Sequence, residues 1–122
     1  RILVPGGYVR ECEMPDRAVE REIYEETGVV CKARSLAALE MRPERWCAVF
    51  IMEHISGEPR SDEYENSEVL LLTAAEAAAR PDITNMSRAM LSAYAEGRFS
   101  CLEKNSFVSP TAEEGKYWLY GF

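Results

Sequence analysis

The chain has 122 residues, a mass of 13.8 kDa and a formal net charge of −7 at pH 7, a size that one domain accounts for. With 47% apolar and 29% charged residues, its composition is that of a protein that buries a core, which excludes a disordered or fibrous chain. The acidic balance argues against nucleic acid and anionic membranes as partners. No apolar run approaches the roughly 18 residues of a membrane span.

The first predicted elements surround a glycine turn. An apolar stub at residues 2–4 is typical of the end of a strand, and the Pro-Gly-Gly sequence at 5–7 stops it. A helix is predicted over residues 15–27, because Pro15 suits a first helical position and Gly28 suits a left-handed cap after the last turn.

Strand-like segments follow this helix. Apolar and β-branched residues predict strands over 29–31, 36–41 and 46–55. The polar and acidic stretch 56–66 indicates a surface loop, and a further strand is expected over 69–72.

Two helices and an apolar tail complete the chain. Thr73 and Glu76 have the spacing of a capping box, which opens a short alanine-rich helix that ends before Pro81. Apolar residues at helical spacing predict another helix over 84–96. The tail 99–122 ends in an aromatic run that is too apolar for a solvated terminus, so we expect it to be a docked strand.

Four widely spaced cysteines, at positions 12, 31, 47 and 101, form no Cys-X-X-Cys pair. This spacing favours reduced, mostly buried thiols in a cytoplasmic protein. A zinc site or a disulfide framework is the alternative.

The first predicted helix carries three carboxylates on one face. At 100° per residue, Glu22, Glu25 and Glu26 share an arc of about 100°. Like charges at this spacing repel, and the last helical turn disfavours anions. Because apolar Val19 and Ile23 adjoin the arc, the carboxylates border the packed side of the helix. Something positive should therefore compensate them.

Two explanations of the acidic face remain open at this point. Arg21 can reach Glu25 one turn on, but one guanidinium cannot neutralise three carboxylates. A divalent cation could, and oxygen ligands on a rigid helix suit Mg²⁺ or Mn²⁺. The turn at Gly6 and Gly7 would add a backbone carbonyl, since glycine lets the main chain approach an ion closely. The alternative is an ordinary solvated acidic face.

The whole segment is similar to a known motif. From Gly7 to Val29 the sequence resembles the Nudix box, GX5EX7REUXEEXGU with U apolar, at all nine fixed positions. The resemblance implies a single Nudix hydrolase domain over residues 1–122, with an α/β/α sandwich around a mixed central sheet. Family members usually have one or two strands before the Pro-Gly-Gly turn. Either upstream residues are absent from this sequence, or the aromatic tail supplies a strand.

The resemblance assigns roles to the residues of the box. Arg21 would orient a metal-ligand glutamate and take part in catalysis without touching substrate, and Glu13 would hold the loop onto the helix. Glu25 is expected both as a ligand and as a catalytic residue. The implied ligands of Mg²⁺, or of Mn²⁺ in its place, are the Gly7 carbonyl, Glu22, Glu25 and Glu26.

A general base is expected outside the box. In several branches of the family it lies in a downstream acidic loop, which corresponds here to residues 62–68. Glu65 is the first candidate and Glu63 the second, and an ordinary solvated loop is the alternative. The cation would neutralise the anionic diphosphate and acidify a water for attack.

The expected substrate is a nucleoside diphosphate derivative such as ADP-ribose or a nucleotide sugar. Residues 65–85 resemble the C-terminal half of ADP-ribose pyrophosphatases, and Pro43 has a spacing from Gly28 that is associated with that branch. The fuller proline-containing segment of that branch is absent around Pro43. Gly6, Tyr8 and Trp46 are candidate substrate-binding residues, with plain packing as the alternative for each aromatic ring.

Two rival functions are alternatives to this one. Within the same class, the chain would be a nucleoside triphosphate pyrophosphohydrolase that acts on oxidised dNTPs. From another class, it would be a non-catalytic Nudix module that binds a nucleotide or a protein. The complete set of box carboxylates argues against the second. A second copy of the chain is the candidate protein partner.

Overall fold

A computed structural model of the chain describes residues 4–61 and 69–122. Helices and strands both contribute, which confirms the predicted α/β class. In chain order the elements are α1 (Pro15–Thr27), β1 (Val30–Arg42), β2 (Arg45–Ser56), α2 (Ala74–Ala78), α3 (Asn85–Ala95) and β3 (Leu102–Glu103).

Helix α1 has the bounds that the sequence predicts. Pro15 occupies the first turn, where its missing N–H costs nothing. Gly28 ends the helix in the left-handed conformation, with φ 75°, and its N–H donates to the carbonyl of Tyr24 at 2.8 Å. The predicted helix over 15–27 is therefore confirmed at both ends.

A long antiparallel hairpin of β1 and β2 follows α1. The sequence predicts two strands over 29–31 and 36–41, whereas the structure has the continuous β1. Buried and less buried positions alternate through residues 31–35, but residues 32–35 include no β-branched or aromatic side chain, so strand propensity does not indicate this segment. The predicted strand 46–55 is confirmed within β2.

The sheet has the order β2-β1-β3, and every pairing among the described strands is antiparallel. The short β3 pairs with the middle of β1, with Ser35 opposite Glu103. In residues 4–61 and 69–122 the parallel pairs of the expected mixed sheet are not seen. Helix α1 packs against β1, and Glu20 Oε2 accepts a hydrogen bond from the Ala33 amide at 3.0 Å.

One strand prediction in the second half of the chain is wrong, and another is confirmed only over two residues. Residues 69–72 are irregular, and Leu71 is 84% exposed. Strand propensity alone does not form a strand, and no described strand pairs with this segment. The tail is docked through the short strand β3, which pairs with β1, whereas its aromatic end joins the fold through an isolated bridge between Lys104 and Tyr120. The expected strand at residues 2–4 lies mostly outside the described residues, with Val4 itself irregular.

Helices α2 and α3 form as predicted and pack against each other. Thr73 Oγ1 accepts the Glu76 amide at 3.1 Å, which confirms the cap. The Glu76 carboxylate accepts from the Thr73 hydroxyl at 2.9 Å. No helix within 4–61 or 69–122 combines the length and apolar character that crossing a bilayer requires.

All four cysteines are free thiols, so the alternative of a disulfide framework is wrong for this structure. The expectation of mostly buried thiols is also wrong, because Cys31 is buried, Cys47 and Cys101 are half-buried and Cys12 is exposed. Burial raises the pKa of the Cys31 thiol, with a smaller contribution from nearby Glu20.

Candidate functional site

One arginine organises the acidic end of the molecule. Nε and Nη2 of Arg21 donate to the two carboxylate oxygens of Glu13, at 2.8 and 3.0 Å. Nη1 donates to Glu22 Oε1 at 2.8 Å and to Glu25 Oε2 at 3.1 Å. Nη2 also donates to the carbonyl of Tyr8 at 3.1 Å. All five N–H donors of the guanidinium are therefore used by the protein.

Glu13 fixes the loop that precedes α1. Besides its two bonds from Arg21, its carboxylate accepts the Arg10 amide at 3.0 Å. These bonds lower the pKa of Glu13 to about 2, the side-chain bond from Arg21 contributing most and the Arg10 amide next. The pKa of Arg21 is correspondingly raised, chiefly by the bond to Glu13. The predicted supporting role of Glu13 has a matching geometry.

The glycine turn lies directly against a box carboxylate. A Cβ atom added at Gly7 would lie 2.5 and 2.6 Å from the two carboxylate oxygens of Glu22, far inside van der Waals contact. A side chain at position 7 would therefore displace Glu22. The structure brings the Gly7 backbone and Glu22 together, as a shared site requires.

The other box glutamates lie on the same stretch of α1. Glu25 reaches Arg21 on one side and Arg10 Nη2 on the other, the latter at 3.5 Å. Its side chain is 47% exposed, against 16% for Glu22. Glu26 is half-buried next to it. Glu25 is thus the most solvent-accessible of the three carboxylates that Arg21 contacts.

The donor set of this site suits a hard divalent cation. Carboxylate oxygens and a glycine carbonyl are the ligands that Mg²⁺ and Mn²⁺ prefer. In the part of the chain that the structure describes, no three acidic, histidine or cysteine side chains converge as they do around a metal. Arg21 Nη1 contacts oxygens of both Glu22 and Glu25. The residues fit the cation by chemistry and by the close approach of Gly7 to Glu22.

The candidate substrate-binding residues are separated in the structure. Tyr8 follows Gly7 directly, and its side chain is 82% exposed beside the network. A Cβ added at Gly6 would meet no atom within 4 Å, so the space beside this turn is open. Both residues adjoin Gly7, whose backbone lies against Glu22, and the Tyr8 carbonyl accepts a hydrogen bond from Arg21.

Trp46 lies elsewhere, near the tip of the hairpin. It pairs with Met41, eight residues along β1 from Ala33, where Glu20 anchors the helix. At about 3.3 Å per residue the separation along the strand is about 25 Å. Trp46 is 69% exposed there. The structure does not bring it next to the carboxylates of α1.

The two candidates for the general base, Glu63 and Glu65, lie outside the described residues. Their role stays a prediction.

Several residues at the site were not identified from the sequence. Arg10 contacts Glu13 and Glu25, and its position three residues before Glu13 is a local signal that could have suggested it. The last turn of α1 has no basic residue of its own, and Arg60, which follows β2, approaches it with its amide donating to the Thr27 carbonyl at 2.8 Å. Its guanidinium lies 2.8 Å from the position of a Cβ added at Gly28. No local pattern indicates Arg60.

Comparisons with known proteins agree with the motif. The family model described as NUDIX domain matches residues 2–94. An ADP-ribose pyrophosphatase of Methanocaldococcus jannaschii is 38% identical over 66 residues, which cover 49% of this chain and 39% of that protein. The 8-oxo-dGDP phosphatase NUDT18 of Danio rerio is 30% identical over 71 residues, 57% of this chain and 22% of that protein. The matched regions thus cover less than half of either relative. Because the family match extends over most of its length, the chain belongs to the NUDIX domain family.

Proposed function

We propose that this protein hydrolyses the diphosphate linkage of a nucleoside diphosphate derivative, such as ADP-ribose or a nucleotide sugar, with Mg²⁺ or Mn²⁺ as cofactor. The observation that carries the proposal is the arrangement of the box, in which Arg21 and Gly7 hold Glu22 at the start of an acidic helix face. The relative named ADP-ribose pyrophosphatase supports this choice of substrate.

The ligands in this proposal are the box carboxylates and one carbonyl. A bound divalent cation supplies positive charge to the anionic diphosphate oxygens and to the attacking water. Support for Glu22 as a ligand comes from its bond with Arg21 and from its position against the backbone of Gly7. The proposed ligand set is the Gly7 carbonyl, Glu22, Glu25 and Glu26.

Arg21 acts in this scheme through its neighbours. Since Glu13, Glu22, Glu25 and the Tyr8 carbonyl occupy all five of its donors, it has none left for a substrate phosphate. We therefore assign it the positioning of the carboxylates and of the preceding loop. Proton abstraction from water stays with Glu65, or with Glu63 as the alternative.

The base and sugar of the substrate are assigned to the loop before α1. The exposed ring of Tyr8 offers a surface on which a base can stack, and the open space at Gly6 admits the phosphates. Trp46 is retained as a weaker candidate, because its place on the hairpin is distant from the carboxylates.

One observation favours a second candidate function. The relative from Danio rerio is named an 8-oxo-dGDP phosphatase, and this name supports oxidised purine nucleotides as a rival substrate class. The rival hypothesis is a hydrolase that acts on oxidised deoxynucleoside di- or triphosphates. Both hypotheses use the same cation site and differ in the group attached to the phosphates.

A substrate panel separates the two functions. ADP-ribose, a nucleotide sugar, 8-oxo-dGDP and 8-oxo-dGTP are incubated with the protein and Mg²⁺, with a chelator as control, and kcat/KM is compared. We expect ADP-ribose to be preferred by about tenfold or more and to yield AMP and ribose 5-phosphate with one water consumed. Preference for an oxidised nucleotide would establish the rival. Absence of turnover with all four would indicate the non-catalytic module.

A further inference from the structure

We infer that the segment Lys104 to Tyr120, here called the C-terminal strap, positions the loop that carries Gly7, with Lys116 as its contact to that loop. The inference rests on the proposed function, since it assigns a role toward the same cation site. The strap lies beyond residues 2–94, which the family model matches.

The strap is fastened to the start of α1 through a buried carboxylate. The side chain of Asp16 is 3% exposed. Its Oδ1 accepts from Trp118 Nε1 at 3.1 Å, and its Oδ2 lies 3.7 Å from Lys104 Nζ. Lys104 Nζ also lies 4.2 Å from the centroid of the Trp118 ring. A carboxylate so far removed from water depends on these partners.

The strap also reaches the loop itself. Lys116 Nζ donates to the carbonyl of Cys12 at 3.0 Å. Cys12 has φ 64°, a left-handed conformation that costs energy in a residue with a side chain. A contact that holds its carbonyl stabilises this conformation.

The loop is consequently held on two sides. From the helix, Arg21 binds the carbonyl of Tyr8 and the carboxylate of Glu13. From the strap, Lys116 binds Cys12, which lies between those two residues in the chain. The position of Gly7 against Glu22 depends on the loop that both contacts fix.

The strap is itself joined to the sheet. Its start follows β3, which pairs with β1, and the Asn105 amide donates to the Leu119 carbonyl at 2.7 Å. The rings of Tyr120 and Phe50 meet edge to face at 5.8 Å between centroids. Lys116 therefore extends from a braced segment, which lets it act as a positioning residue.

Substitution of Lys116 tests the inference. Lys116→Met removes the donor to Cys12, Lys116→Arg retains one, and Lys32→Met on β1 is the matched control. Mn²⁺ affinity is measured by titration of the whole protein, and hydrogen exchange of amides 8–14 is measured without metal. We expect Lys116→Met to weaken Mn²⁺ binding by about threefold to tenfold and to speed exchange in the loop. Lys116→Arg should restore most of both properties.

Unchanged Mn²⁺ affinity together with unchanged exchange in Lys116→Met would overturn the inference.

Trp118→Phe gives a second measurement, because it keeps an aromatic ring and removes the donor to Asp16. Faster exchange of the amides of residues 8–14 is again expected. If the unaltered protein binds no Mn²⁺, the proposed function fails, while the exchange of the metal-free variants still decides whether the strap holds the loop.

Discussion

The loop and helix around Arg21 differ sharply from the tip of the β1–β2 hairpin. In the first region, the guanidinium of Arg21 and the carboxylates of Glu13 and Glu22 are largely shielded, and Arg21 contacts both carboxylates. In the second, Met41 and Trp46 are mostly exposed, and Arg42 makes one ion pair with Glu40 at 3.6 Å. One region holds charges in fixed positions, and the other offers an exposed apolar surface.

This difference in how firmly charged side chains are held has a consequence for catalysis. Ligands of a cation must be held precisely, which bidentate and shared hydrogen bonds achieve. An exposed ion pair such as that of Arg42 is worth little and fixes little. We therefore expect substitutions around Arg21 to change the chemical step, and substitutions at the hairpin tip to change little.

The largest effect is expected at Glu26. Glu26→Gln removes a negative ligand at nearly constant volume and should lower kcat at least about a thousandfold with the preferred substrate of the panel. Glu20→Gln is the control, since Glu20 lies on the same helix but accepts the Ala33 amide on the side toward β1. Near-normal turnover by Glu26→Gln would contradict the assignment of the metal site.

Arg21→Lys should have the next largest effect. A lysine has a single nitrogen and cannot serve Glu13, Glu22, Glu25 and the Tyr8 carbonyl together. We expect kcat/KM to fall about 10- to 100-fold, the range typical of partners that orient ligands.

Arg17→Lys is the matched control for Arg21→Lys, because Arg17 contacts Glu20 alone among the bonds the structure records for it, at 3.1 Å. Equal losses in the two variants would show that the network around Arg21 has no special role.

Substitution of the two aromatic candidates, Tyr8 and Trp46, gives a direct comparison of the loop before α1 with the hairpin tip. Tyr8→Ala should raise KM about tenfold and leave kcat nearly unchanged, since a ring on which a base stacks contributes binding rather than chemistry. Trp46→Ala should change KM by less than about twofold, because Trp46 lies about 25 Å along the strand from the helix anchor. A larger effect from Trp46 would bring the hairpin tip into the substrate site.

Local signals explain what could be predicted of the fold. Pro15 and Gly28 bracket α1, and both act through their own backbone geometry, so the helix bounds follow from the sequence. The strand predicted at 69–72 failed because strand formation depends on a pairing partner that no local pattern supplies. The break predicted within β1 falls on residues 32–35, which include no β-branched or aromatic side chain and are part of the strand because they pair with β2.

The residues of the site also divide into those that a local sequence pattern selects and those that only the folded structure brings together. Glu22, Glu25 and Glu26 share a helix face, so periodicity selects them together, and Arg21 lies one turn from Glu25. The bond from Trp118 to Asp16 joins residues 102 positions apart. Likewise, the contact from Lys116 to Cys12 depends on how the tail folds back. Contacts of this kind require the tertiary structure.

The smallest effect is a change in stability with pH that distinguishes Glu13 from Glu40 on the hairpin. The pKa of Glu13 is lowered from 4.5 to about 2 in the folded state, so the unfolded chain takes up its proton first as pH falls. The stabilisation from ionised Glu13 is therefore fully present above about pH 4.5 and is lost as pH falls toward 2.

Thermal unfolding of the unaltered protein and of Glu13→Gln between pH 7 and pH 2 measures this stabilisation. The difference in Tm should be constant down to about pH 5 and should shrink below pH 4.5. Glu40→Gln is the control from the hairpin, where one 3.6 Å ion pair should give a smaller difference in Tm. A difference for Glu13→Gln that persists undiminished at pH 2 would mean that its ion pair with Arg21 is not the source of the stabilisation.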